Sequence, residues 1–127
     1  MNLTDVNAGY FTADRLAMLK PGALLINIAR GEFTPLEPLA QAIESGHLGG
    51  AGLDVFEQET QVGPNLRNNA ELDTRSPLYR LSQAKNVILT PHNAFNTAEA
   101  VQRKSQQSVE QLKHFLEKGA FIWPIGK

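Results

Sequence analysis

The 127-residue sequence contains no cysteine. This absence excludes disulfide bonds, thiolate nucleophiles and zinc sites built on cysteine. Any acid–base or nucleophilic chemistry must therefore use other side chains. With 42% hydrophobic and 20% charged residues, the composition is that of an ordinary globular protein, and the length suits a single domain.

An excess of either charge is also missing. The 12 basic residues are scattered and the formal net charge is -1, so nothing indicates a binding face for nucleic acid or for an acidic membrane surface. The longest strongly apolar run, from Ala23 to Ala29, is far shorter than the ~20 residues of a membrane helix. The opening MNLTDVNAGYF lacks the basic and apolar regions of a signal peptide, so we expect a cytoplasmic location.

Four helices are predicted from capping residues that precede helical spacing. They cover approximately residues 13–19, 35–45, 77–83 and 98–118, with Thr12, Thr34, Ser76 and Thr97 as N-caps. In the second helix, Pro35 suits the first helical position, and Glu37 stands three residues after Thr34, as in a capping box. The polar residues 58–74 are predicted to form a long loop.

Three short apolar segments alternate with these helices, at residues 23–29, 50–55 and 86–89. The first is almost continuously apolar, which is typical of a parallel strand buried on both faces. Alternation of helices and strands predicts an α/β fold, with a parallel sheet and right-handed crossovers. Three strands make an unusually small sheet of this type.

Polar side chains follow each predicted strand at its carboxyl end, where ligands bind in open parallel sheets. Arg30 follows the first strand, and His92 follows the third. Asp54 ends the second, with Glu57 and Glu59 just beyond it. If the strands are parallel neighbours, these side chains gather at one edge of the sheet.

These residue types suit a particular chemistry. The planar fork of arginine matches a carboxylate, and histidine exchanges protons near neutral pH. A carboxylate beside that histidine stabilises its protonated form. Together they suit interconversion of a 2-hydroxy acid and a 2-keto acid, with a cofactor carrying the hydride. The alternative stays open at this point, because a single loop Arg, Asp or Glu is more often a solvated surface residue.

Four stretches resemble the D-isomer-specific 2-hydroxyacid dehydrogenase family: NLTDVNAGYF (2–11), MLKPGALLINIARGE (18–32), SGHLGGAGLDVFEQE (45–59) and NVILTPHNAFNTAEA (86–100). They occur in the family's order and span nearly the whole chain. The long insert after Glu59, together with TPHNAFNT, resembles the D-lactate dehydrogenase branch. The resemblance implies the second half of a Rossmann-type doubly wound parallel sheet, and an NAD-dependent oxidoreductase.

The resemblance also implies catalytic roles for three residues. Arg30 would bind the substrate carboxylate and polarise its carbonyl. His92 would donate the proton in keto-acid reduction and accept it in the reverse direction. Glu59 would pair with His92 and stabilise its protonated form.

A second set of roles concerns the cofactor and the substrate pocket. Asp54 would lie near the nicotinamide ring, and the backbone around Ile28 and Ala29 would border the cofactor. Phe95 would line the substrate pocket. The cofactor implied is NAD, with NADP not excluded, and no metal is implied.

Members of the family place a substrate lobe and a Gly-x-Gly-x-x-Gly turn ahead of the region matched here, and the sequence contains no such turn. The Rossmann-type sheet is therefore expected to be incomplete. Residues 1–118 would form the C-terminal half of an NAD-binding domain, and residues 119–127 a tail that returns to the substrate lobe. We expect negligible turnover from this chain alone, because remote contacts to the cofactor are missing.

An incomplete sheet also leaves its first strand at an edge. A long apolar edge strand invites pairing, so the strand from Ala23 to Ala29 is predicted to mediate self-association. A second interpretation uses the same feature: the chain would be a non-catalytic binding or assembly module that acts through this exposed edge.

Overall fold

The described residues, 2–57, 59 and 73–124, form two units in this computed structural model. The first unit is Met1–Asn93 and the second is Ala94–Lys127. Most of the predicted loop at residues 58–74 lies outside the described residues. The first unit contains, in chain order, α1 (Ala13–Ala17), β1 (Ala23–Asn27), a 3-10 turn (Gly31–Phe33), α2 (Leu36–Glu44), β2 (Leu48–Leu53), α3 (Pro77–Gln83) and β3 (Val87–Leu89).

The three strands form a parallel sheet in the order β1-β2-β3, so the predicted α/β fold is confirmed. Asn27 pairs with Leu53, and Leu53 pairs with Leu89. Each of these residues is the last of its strand. The three carboxyl ends therefore lie in one row across the sheet, and β1 is an edge strand among the described residues.

Two of the predicted helix starts are confirmed by the side chains that cap them. The hydroxyl of Thr12 accepts a hydrogen bond from the N–H of Arg15 at 3.3 Å, ahead of α1. The hydroxyl of Ser76 accepts from the N–H of Tyr79 at 3.1 Å, ahead of α3. Each contact satisfies a backbone donor that the first helical turn leaves unpaired.

The capping box predicted at Thr34 is wrong. The Thr34 hydroxyl is buried and accepts a hydrogen bond from the amide of Asn27 at 3.2 Å, so it is not available to α2. Pro35 occupies the N-cap position and offers no side-chain acceptor. The carboxylate of Glu57, 21 residues away, accepts from the N–H of Leu36 at 3.0 Å instead.

The hydrophobic core of the first unit lies on one face of the sheet, where α1, α2 and α3 contribute leucines and isoleucine. Its buried members include Leu16, Leu39, Ile43, Leu48, Leu53 and Leu81. Leu25 of β1 belongs to this cluster. Burial of these side chains supplies the main stabilising term of the unit.

The prediction that β1 is buried on both faces is wrong. Leu24 and Ile26 are 70% and 71% exposed, and Ile88 of β3 is also exposed. Side chains alternate across a strand, and the helices of the first unit pack on the face that carries Leu25. The opposite face, lined by these three residues, is therefore an apolar surface in contact with solvent.

An exposed ion-pair network joins α2 to α3. Arg80 binds Glu37 and Glu44, each at 2.8 Å. Hydrogen bonds from Gln41 and Arg80 lower the pKa of Glu37, and the hydrogen bond from Arg80 lowers the pKa of Glu44. Exposed pairs contribute little stability, so the network mainly orients two helices that are already held by the core.

The second unit contains α4 (Ala98–Lys118), which matches the prediction. The hydroxyl of Thr97 accepts from the N–H of Ala100 at 3.2 Å, and Gly119 ends the helix at a φ of 70°. After the helix, the ring of Phe121 stacks on the ring of Phe115 of α4, with centroids 4.7 Å apart. The chain after Gly119 therefore returns along the last turn of α4. No helix in the described part of the chain has the length and apolar character needed to cross a membrane.

Two glycines of β2 are predicted to differ sharply in their tolerance of a side chain. A Cβ at Gly50 would lie 2.6 Å from the carbonyl oxygen of Asn86, whereas a Cβ at Gly52 would make ordinary contacts at 3.7 Å with Ile26. Gly50→Ala should therefore lower the free energy of unfolding by about 1–3 kcal/mol. Gly52→Ala, the matched control, should change it by less than about 0.5 kcal/mol. Urea denaturation of both variants measures the difference, and equal losses would contradict the close approach of the two backbones.

Candidate active site

The candidate site is built on the row of strand ends. Arg30 follows the end of β1 by three residues, and His92 follows the end of β3 by the same distance. Asp54 comes directly after the end of β2, between them. The topology therefore brings the three segments to one edge of the sheet, as the sequence predicted.

Asp54 connects the ends of all three strands. The residue is 3% exposed, and its carboxylate accepts hydrogen bonds from the hydroxyl of Thr90 at 2.6 Å and the N–H of Asn93 at 2.8 Å. Its backbone N–H donates to the carbonyl of Asn27, and its carbonyl accepts from the N–H of His92. One residue after β2 thus fixes the segments that follow β1 and β3.

His92 has the left-handed backbone conformation, with a φ of 52°. This conformation is uncommon outside glycine, and it persists where surrounding contacts hold it in place. Here the N–H of His92 donates to Asp54 at 2.9 Å and to Thr90 at 3.0 Å. Two hydrogen bonds therefore hold the backbone of His92 in this conformation.

The imidazole of His92 pairs with Glu59. Its Nδ1 lies 2.8 Å from Oε1 of Glu59, and the two side chains are 41% and 28% exposed. With a hydrogen on Nδ1, the ring donates to the carboxylate and presents Nε2 as its second proton-exchanging atom. The pair can thus hold or release one proton at a half-exposed position.

Asn27 organises the segment that carries Arg30. Its buried amide donates to the carbonyl of Arg30 at 2.8 Å and to the hydroxyl of Thr34 at 3.2 Å, and its oxygen accepts from the N–H of Ala29 at 3.1 Å. The guanidinium of Arg30 donates to the carbonyl of Ala29 at 2.7 Å. The backbone around Arg30 is therefore fixed by a polar side chain at the end of β1.

The segments after β1 and β2 are in direct contact. A Cβ at Gly31 would lie 2.2 Å from the carbonyl carbon of Phe56, so only glycine fits there. Glu57 binds the N–H of Leu36 in the same region. The segment that carries Arg30 is consequently packed against the segment that leads to Glu59.

The other residues implied by the resemblance occupy varied positions. Ile28 is exposed just beyond the end of β1. Phe95 belongs to the second unit, where the ammonium of Lys104 lies 4.7 Å from its ring centroid. Among the described residues, no group of His, Asp and Glu side chains could hold a metal ion.

The sequence analysis did not predict the supporting contacts of three residues: Asn27, Glu57 in its capping role, and Thr90. Asn27 carried a usable signal, because it is the polar residue inside an otherwise apolar strand. An amide there needs buried partners. Glu57 and Thr90 carried none, since their contacts depend on segments 21 and 36 residues away.

In open parallel sheets ligands bind outside the carboxyl ends of the strands, where the polar segments of this sheet lie. Residues 1–94 match the model of the family described as D-isomer specific 2-hydroxyacid dehydrogenase, NAD binding domain. The chain belongs to this family, and the resemblance drawn from its motifs is confirmed.

Two relatives show the extent of the likeness. An aromatic 2-oxoacid reductase of Clostridium sporogenes is 37% identical over 117 residues, which cover 92% of this chain and 35% of the relative. A D-lactate dehydrogenase of Lactiplantibacillus plantarum is 34% identical over 113 residues, which cover 89% of this chain and 34% of the relative. The chain thus spans about a third of the length of these relatives.

The solved structure of a D-lactate dehydrogenase from Sporolactobacillus superposes on the whole chain with a TM-score of 0.87 and 30% identity. The match covers 38% of that structure. The three parallel strands and their helices therefore have the Rossmann-like fold of the family's NAD-binding domain.

The contacts of Asp54 predict a specific pattern of stability. In Asp54→Ala the hydroxyl of Thr90 and the N–H of Asn93 lose a buried acceptor, so the free energy of unfolding should fall by about 1–3 kcal/mol. Both hydrogen bonds end on the same oxygen, Oδ1. Asp54→Asn can keep that oxygen and should cost much less. Chemical denaturation, with hydrogen exchange of the Asn93 amide, compares the two variants. Equal losses would show that the carboxylate does not hold these groups.

Proposed function

We propose that this chain supplies the acid–base pair of an NAD-dependent D-2-hydroxyacid dehydrogenase, which interconverts a 2-keto acid and a D-2-hydroxy acid. The observation that carries the proposal is the 2.8 Å contact between Nδ1 of His92 and Glu59 at the carboxyl edge of a parallel sheet. Membership of the family supports the reaction class. The relatives' own activities, on aromatic 2-oxoacids and on D-lactate, support a small 2-keto acid as substrate.

His92 is the proton-exchanging residue in this proposal. Glu59 accepts the hydrogen on Nδ1 and stabilises the protonated ring, so Nε2 gives a proton to the carbonyl oxygen as the keto acid is reduced. In the reverse direction Nε2 takes the proton from the hydroxyl group. Partial exposure of the imidazole leaves it within reach of a ligand.

Arg30 binds the substrate carboxylate. Its guanidinium offers paired donors whose geometry fits a carboxylate, and the same charge polarises the neighbouring carbonyl. The fixed backbone around Arg30 supports this role, because Asn27 and Gly31 restrict where the side chain starts. Phe95 lines the substrate pocket in the same proposal, on the strength of its motif position.

The cofactor fits the same edge in part. NAD, or NADP, supplies and takes up the hydride when it is bound. Ile28 is an exposed apolar side chain just beyond β1, which suits contact with a flat ring, and Ala29 and Asp54 follow at the same edge. The sequence contains no Gly-x-Gly-x-x-Gly turn for the pyrophosphate. In this proposal the phosphates are therefore bound by the part of the complete enzyme that lies outside the matched third.

The domain assignment follows from the same proposal. Residues 1–118 act as the C-terminal half of an NAD-binding domain, and residues 119–127 form a tail that returns to a substrate-binding lobe. The relatives are about three times the length matched here, which supports the assignment of substrate binding to a further lobe. A cytoplasmic location is part of the same proposal.

The catalytic proposal is tested in a hybrid enzyme, in which this chain replaces the matching third of the D-lactate dehydrogenase of L. plantarum. His92→Ala should lower kcat for 2-keto acid reduction by roughly 10² to 10⁴-fold, the usual contribution of general acid–base catalysis. His47→Ala is the matched control, because His47 lies at the amino end of β2, away from the carboxyl ends of the strands. Its ring binds the carbonyl of Leu16.

The control hybrid should keep a kcat close to that of the unsubstituted hybrid. A loss below about tenfold for His92→Ala would remove His92 from the proposed role. Without the rest of the enzyme, the chain should show negligible turnover with NADH and pyruvate, and brisk turnover would count against the need for a further lobe.

We also propose that the chain associates with a copy of itself through β1. The alternative function, a non-catalytic assembly module, depends on the same exposed edge strand. Exposed Leu24 and Ile26 on an edge strand support pairing with another chain. Sedimentation at micromolar concentrations should give a dimer or larger species, and Ile26→Lys should give a monomer. Met18→Lys, at an exposed position outside the sheet, is the control and should associate like the unsubstituted chain. A monomeric unsubstituted chain would contradict this proposal.

A further inference from the structure

We infer that Glu57 is a positioning residue. It fixes Glu59 against His92 by linking the segment after β2, which carries both glutamates, to the start of α2. The inference rests on the proposed function, because the His92–Glu59 pair is the group that Glu57 would position. It deepens that function by adding a residue that touches neither substrate nor cofactor in the proposed reaction.

The contact of Glu57 meets a need of α2. The first turn of a helix leaves backbone N–H groups unpaired, and a carboxylate near that end is favoured by the helix dipole. Pro35, at the N-cap, provides no side-chain acceptor. Oε2 of Glu57 lies 3.0 Å from the N–H of Leu36 and fills this role from 21 residues away.

The carboxylate in the first turn of α2 itself is bound elsewhere. Glu37 stands in the first turn of α2, but Arg80 and Gln41 bind its carboxylate. The acceptor at the start of α2 is therefore the side chain of the segment after β2. A change at Glu57 would affect two loops at once.

The same segment is fixed at three consecutive points. Asp54 is bound to Thr90 and Asn93, the backbone of Phe56 packs against Gly31, and Glu57 binds Leu36. Glu59 comes two residues after the last of these points. We therefore expect the contact of Glu57 with Leu36 to influence whether Oε1 of Glu59 reaches the imidazole.

The test is the ¹⁵N NMR signal of the His92 ring in the 127-residue chain, since it reports the partner of Nδ1 without any turnover. Glu59→Gln provides the reference position for a ring that has lost its carboxylate partner. Glu57→Ala should move the His92 signals most of the way to that reference. Glu57→Gln keeps an oxygen for the N–H of Leu36 and should leave the signals close to those of the unsubstituted chain.

Two controls separate positioning from stability. Glu44→Ala removes a carboxylate from the far end of α2, where it binds Arg80, and should leave the His92 ring unchanged. The ring of His47 provides an internal check that each variant keeps its fold. If Glu57→Ala fails to fold, Glu57→Asp replaces it, because the shorter side chain keeps the charge and withdraws it from the N–H of Leu36.

The inference is overturned if Glu57→Ala, or Glu57→Asp in its place, leaves the His92 signals at their original positions, even where the melting temperature falls. Such a result would make Glu57 a helix cap alone. The outcome is distinct from failure of the proposed function. A His92→Ala hybrid with normal kcat would reject the catalytic role while the ring signals still decide the positioning role of Glu57.

Discussion

A buried carboxylate at the end of the central strand determines the geometry of this edge of the sheet. Parallel pairing places the last residues of β1, β2 and β3 in one row, but a row of strand ends does not by itself orient the loops. Asp54 does so with four hydrogen bonds, which involve Asn27, Thr90, His92 and Asn93. Because the carboxylate is shielded from water, leaving its partners unpaired would be costly.

The conformation of His92 follows from this arrangement. A left-handed residue other than glycine costs free energy, and the two hydrogen bonds of the His92 N–H offset that cost. The imidazole then meets a carboxylate supplied by the segment after β2. The left-handed backbone and the contact with a carboxylate therefore occur at the same residue.

The sequence predicted those features that depend on local patterns. Helix caps at Thr12, Ser76 and Thr97 and the alternation of helices and strands follow from short-range geometry, and the structure confirms them. The rule that parallel strands end at one edge predicted that His92 and carboxylates would gather there. The pairing of His92 with Glu59 was implied by the family resemblance, and the structure shows this contact. The capping box at Thr34 was wrong because α2 begins one residue later, with Pro35 at the N-cap, and the Thr34 hydroxyl accepts a hydrogen bond from Asn27 instead.

Burial of β1 was overestimated for a related reason. An apolar run indicates that a strand can be buried on both faces, but the covering elements must come from elsewhere in the molecule. In the first unit, helices cover the face of Leu25 and leave Leu24 and Ile26 exposed. Local patterns therefore identified the elements, whereas side-chain contacts between distant segments could not be read from one sequence.

The central claim is that His92 and Glu59 act as one acid–base unit. A double-mutant cycle in the hybrid enzyme tests it most directly, with kcat measured for Glu59→Gln, His92→Gln and the double variant. Residues that act as a unit are strongly non-additive, so the double variant should be no slower than His92→Gln alone. If the two losses multiply instead, the residues act independently, and the pairing seen at the edge of the sheet has no part in the reaction.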